Sequence, residues 1–101
     1  MSISHQAALA ARDETDRDIL YYVREMQSAA PVTAESVHSF LTRHRRRELT
    51  LRQTQDRLDY LVSAKYLEEK TEWSGGEMRS YRITADGMDF MDKAIPPRNW
   101  K

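Results

Sequence analysis

Six arginines fall within residues 43–58, RHRRRELTLRQTQDRL, where only Glu48 and Asp56 oppose them. That stretch carries a balance of +4 in a chain of zero formal net charge, so the remaining residues carry −4 and the sequence is strongly polarised. Guanidinium groups grip phosphate and carboxylate oxygens with two donors at once, and an Arg or Gln side chain can match the paired acceptors and donors on the edge of a guanine or an adenine. A field concentrated in this way steers polyanions. The same charges have a structural use, because Asp13, Glu14, Asp16 and Asp18 form an acidic cluster earlier in the chain. Pairing with that cluster, within one chain or across a dimer, would neutralise both, and a solvated basic run is the third reading.

The elements that position these residues are legible from periodicity. Acidic residues open DETDRDILYYVREMQS, and Ile19, Leu20, Val23 and Met26 fall on one face, so a first amphipathic helix is expected over about 13–28. Residues 1–12 form an Ala-rich arm, either frayed or an extension of that helix. Pro31 breaks the pattern, with a short β-bridge expected around Ala29–Val32. Thr33 caps a second helix carrying Val37, Phe40 and Leu41, and Thr50-Leu51-Arg52-Gln53 fits the T-x-x-Q capping box that opens a third.

At 100° per residue, with Leu51 at zero, Thr54, Leu58, Leu61 and Val62 gather around about 340°. Arg52, Gln53, Asp56 and Tyr60 then point away from the core, between about 100° and 200°, and Arg57 lies near about 240°. The leucines of this helix should face inward and the Arg and Gln outward. After Tyr66 the pattern alternates as in strands, and Gly75-Gly76 supplies positive φ for a hairpin tip. Trp73 beside that tip packs on the hairpin or serves as an exposed anchor, packing being the commoner outcome. Thr84 caps a last helix lined by Met88, Met91 and Ile95, and Pro96-Pro97 stops it before the tail RNWK.

Composition narrows the classes further. One domain fits 101 residues, with an arm over 1–12, the folded unit over 13–95 and a tail over 96–101. Hydrophobic residues at 40% and charged residues at 32%, with 3 Gly and 3 Pro, describe a globular and mainly helical chain. No cysteine is present, and His5, His38 and His44 have no ligand spacing, so no metal is expected. Neither a phosphate-binding glycine loop nor a nucleophile with a base at recognisable spacing occurs, so neither an enzyme nor a cofactor is expected. The start MSISHQAALAARDET lacks the basic-then-apolar order of a secretory signal, and no apolar run could span a bilayer; the expected location is the cytoplasm, with no membrane partner.

The order helix, helix, helix, hairpin, helix is that of a winged helix-turn-helix domain, an α+β fold that is mainly helical. LRQTQDRLDYLVSAKYLEE resembles the reading helix of that superfamily and its exit into the wing. SYRITADGMDFM resembles the return strand and following helix of MarR and PadR regulators, where Y-x-[LI]-T-x-x-G is common. The resemblance covers about residues 15–95 and extends to phage or plasmid accessory proteins built on the same fold. It implies a dimeric transcriptional regulator that binds double-stranded DNA with the helix at about 51–64 in the major groove. Arg52, Gln53 and Arg57 are then the expected groove contacts, while Arg45, Arg46, Arg47 and Arg79 reach phosphates. Thr50 and Tyr60 complete the set. Asp56 in the middle of the reading face, the acidic wing and the zero net charge support the alternative, a winged-helix module that binds protein and not DNA.

Overall fold

The computed structural model describes residues 2–73 and 76–94, with side chains described over 14–73 and 76–92. Its elements run α1 (Ser2–Met26), α2 (Ala34–His44), α3 (Leu51–Ser63), β1 (Leu67–Glu72), β2 (Met78–Ile83) and α4 (Ala85–Ala94), the expected order. The arm is helical and continuous with the first helix. Gly76 has the positive φ expected of a hairpin tip, at 134°. Gly75, Ile95, Pro96-Pro97 and the RNWK tail lie outside the described residues.

The starts of α2 and α3 follow from their caps. Thr33 Oγ1 accepts from the Ser36 amide while the Ser36 hydroxyl accepts from the Thr33 amide, closing a capping box on α2. Thr50 and Gln53 do the same for α3, at 3.0 and 2.8 Å. That helix ends in a Schellman turn: the Tyr66 amide donates to Leu61 and the Lys65 amide to Val62, with Lys65 left-handed at φ 71°.

The core is contributed by every element. Ile19, Leu20 and Val23 of α1 meet Val37 and Leu41 of α2, Leu58 and Leu61 of α3, Leu67, Tyr81 and Ile83 of the hairpin, and Met91 of α4, all buried. β1 and β2 pair antiparallel from Leu67↔Ile83 to Glu72↔Met78, and the bridge expected near Pro31 is present as Val32↔Tyr81. The Tyr81 amide donates to Val32 at 2.9 Å, so the hairpin is stitched to the α1–α2 connection.

The motif Y-x-I-T-x-x-G acquires a physical meaning here. Tyr81 and Ile83 fill the core, and the Thr84 hydroxyl donates to the Lys65 carbonyl at 2.6 Å while accepting from the Gly87 amide at 3.0 Å. A Cβ on Gly87 would overlap the Tyr66 carbonyl oxygen, so only glycine lets α4 close against the turn after α3. Tyr66 and Phe90 stack above this contact at 4.7 Å.

Four sequence expectations are corrected. Leu51 is 42% exposed, because the buried residues of α3 are Thr54, Leu58 and Leu61; their mean direction lies near about 307° and leaves Leu51 roughly 50° to one side. Met26 and Met88 are exposed rather than on the packed faces of their helices, since each lies at the edge of the stripe set by Val23 or Met91. Trp73 does not pack on the hairpin; it is 71% exposed, just beyond the last strand pair, Glu72↔Met78.

Candidate nucleic-acid interface

The outward face of α3 carries the residues that periodicity assigned to it. Arg52, Gln53, Asp56 and Tyr60 are all exposed, and Arg52 has no acidic partner among the described residues. Two details qualify this face. Gln53 Oε1 accepts from the Thr50 amide, which ties the side chain back to the helix start and leaves one lone pair and the amide nitrogen for another group. A bidentate adenine contact would have to share that oxygen with the cap. Asp59 is also exposed, so with Asp56 it outweighs Arg52 and makes the face net −1.

The arginines divide sharply. Arg57 is not on the reading face: its Nε donates to Asp16 Oδ1 at 3.0 Å and its Nη2 to Asp16 Oδ2 at 2.5 Å, with the two side chains only 18% and 4% exposed. At about 240° it lies on the opposite shoulder of the core stripe from Leu51, under α1. Its guanidinium also covers the Tyr60 ring at 4.6 Å. Arg47 donates from Nε and Nη2 to Asp18 Oδ2, at 3.0 and 2.7 Å, and Arg45 Nε lies 3.3 Å from Oδ1 of the same carboxylate. The pairing of the basic run with the acidic first helix, weighed as an alternative, is thus realised for Arg45, Arg47 and Arg57. Counting Asp16 and Asp18 with residues 43–58 lowers the local balance from +4 to +2.

Arg46 behaves differently. It is exposed, holds a left-handed φ of 53° and has no acidic partner among the described residues. It stands in the turn that leads to Thr50 and the start of α3, and the His38 Nε2–H steadies that turn by donating to the Leu49 carbonyl at 2.8 Å. Thr50 is exposed beside it, its hydroxyl held by the cap.

The wing is coupled to α3 through Tyr81. Gln55 Nε2 donates to the Tyr81 hydroxyl at 2.8 Å, and that hydroxyl donates to Glu69 at 3.4 Å. Burial pushes the Tyr81 hydroxyl above the usual tyrosine pKa, opposed by the Gln55 bond. Arg79 is exposed near the tip but lies 3.7 Å from Glu77 and 3.9 Å from Glu69, contacts that weaken it as a phosphate ligand. The Gln55 link was missed in the sequence, since on the helical wheel Gln55 lies beyond Leu51 from the core stripe and its partner Tyr81 is 26 positions away.

No family model and no curated protein sequence matches the chain. In architecture it is similar to a PadR family transcription regulator from hypervirulent Clostridium difficile R20291, with a TM-score of 0.65, 18% identity and coverage of 85% of each chain. No helix among the described residues is long and apolar enough to cross a membrane. The chain has the winged helix-turn-helix architecture, with α2 and α3 as the helix pair and β1–β2 as the wing.

Proposed function

We propose that this chain binds double-stranded DNA as a cytoplasmic transcriptional regulator, with α3 in the major groove. The observation that carries this reading is the presentation of α3: it is doubly capped at its start, locked to the wing through Gln55 and Tyr81, and offers Arg52, Gln53 and Tyr60 on one exposed face. The structural similarity to a transcription regulator supports it at the level of the fold. Arg52 takes a guanine edge, the free amide nitrogen of Gln53 takes an acceptor, and Arg46, Tyr60 and Arg79 hold phosphates. Thr50 fixes the depth of the helix start. Arg57 is reassigned to holding α3 against α1. The chain acts as a homodimer through α1 and α4, which would place two reading helices about 34 Å apart on one face of the duplex.

Duplex binding measured against salt tests this reading. Retardation of duplex DNA at low ionic strength, falling with log salt by roughly 0.9 per phosphate contact, is expected. No retardation under those conditions would overturn it. A second reading, a winged-helix module that binds protein, is favoured by Trp73, 71% exposed at the end of an acidic wing. In that case a partner would protect Trp73 and leave α3 untouched.

A further inference from the structure

Asp16 and Asp18 stand two residues apart on α1 and each engages arginine, but the two sites differ in access. Asp16 meets Arg57 in an ion pair that is nearly sealed. Asp18 receives two guanidiniums, from Arg45 and Arg47, with side chains 41% and 25% exposed, and is itself 20% exposed. Arg46 turns the chain between them at φ 53°, and both side chains reach the one carboxylate. Arg45 is braced there by the rings of Tyr21 and Phe40, 5.7 and 5.2 Å from its guanidinium carbon.

We propose that Arg45 and Arg47 form a two-guanidinium cradle for a phosphate group, and that Asp18 occupies the cradle as an internal competitor. The donor set is that of an oxyanion site: Nε and Nη2 of one guanidinium and Nε of a second converge on two oxygens of one group. Two positive charges face one negative charge, so the site remains cationic with Asp18 in place. The carboxylate is partly solvated and can turn outward, which Asp16 cannot do without leaving a buried guanidinium. The turn that carries the cradle leads directly to Thr50 and the start of α3, so the phosphate supplied there is one of a duplex backbone. That assignment of the source rests on the proposed DNA binding.

The test uses the full chain, native and Asp18→Asn, with a labelled duplex titrated at several salt concentrations. Asp18→Asn should bind at least about threefold tighter at low salt, with a log–log slope steeper by about 0.9, for one added phosphate contact. Adding Arg47→Gln to Asp18→Asn should abolish the gain. Equal or weaker binding by Asp18→Asn, with its circular dichroism unchanged, would overturn the proposal. Should Asp18→Asn fail to fold, Asp18→Ser is read in the same way: binding about threefold tighter than native, lost on adding Arg47→Gln, upholds the cradle, and any smaller gain overturns it. If neither native nor Asp18→Asn protein binds duplex, the DNA reading fails, and inorganic phosphate then reads the cradle alone. A rise in Tm with phosphate, larger in Asp18→Asn and lost with Arg47→Gln, upholds a free-phosphate site; no difference overturns it.

Discussion

The Asp16–Arg57 pair and the Asp18–Arg45–Arg47 cluster are built from the same residue types on the same helix, yet they do different work. In the first, both oxygens of a 4% exposed carboxylate accept from the Arg57 guanidinium, and α3 is fixed to α1. In the second, the carboxylate is shared and partly open to water, so it holds the α2–α3 turn loosely and keeps spare donors. Burial, not residue type, separates an ion pair that holds a fold from one that can exchange its anion.

The largest expected effect breaks the closed pair. Asp16→Ala leaves the Arg57 guanidinium buried beside an apolar methyl and should cost about 3 kcal/mol in urea unfolding. A cost below about 1 kcal/mol would place Asp16 with Asp18 among the open pairs. Gly87→Ala supplies a control that injures the same domain without touching either cluster. Forcing a Cβ against the Tyr66 carbonyl should cost about 2 kcal/mol and leave the salt dependence of stability unchanged.

Tyr81→Phe removes the hydroxyl that accepts from Gln55 and donates to Glu69, for about 1 kcal/mol at neutral pH. The native chain also predicts a pH signature. Because the folded hydroxyl titrates above the unfolded one, its contribution is full below the unfolded value of 10.0 and is lost as pH rises through the folded value. The steeper alkaline fall in stability should therefore be absent in Tyr81→Phe, as read by thermal melts across that range. Asp18→Ala is the matching cut in the open cluster. It should cost less than about 1 kcal/mol, the range of partly solvated pairs, and the cost should shrink with added salt. Smallest of all, Arg52→Ala should change stability by no more than about 0.5 kcal/mol, as for an exposed residue with no acidic partner among the described residues.

Much of the architecture was legible because its signals are local. Caps at Thr33, Thr50 and Thr84, the break at Pro31, the glycine tip and the Tyr81-to-Gly87 motif each act within a few residues of their effect. Helix periodicity also placed Arg52, Gln53, Asp56 and Tyr60 on the exposed face of α3. What escaped was set by neighbours distant in sequence. Arg57 faces Asp16 across 41 positions and Arg47 faces Asp18 across 29, and a charge count over residues 43–58 cannot see either carboxylate. Leu51 misled for a geometric reason, since the helical wheel defines a stripe but not its centre, which depends on where α1 and the hairpin lie. Gln53 serves as the cap that its spacing from Thr50 predicts, and a base contact would have to share the capping oxygen.

The account rests on α3 as the surface that meets duplex DNA, and backbone amide shifts of the labelled chain on addition of a short duplex test this directly. Residues of the Arg46–Tyr60 segment should move most, with smaller changes at Arg79, while Tyr22 and Phe40, stacked at 4.6 Å on the α1–α2 side, stay in place. Changes confined to Trp73 and the wing tip, or centred on Tyr22 and Phe40 with α3 unmoved, would contradict it.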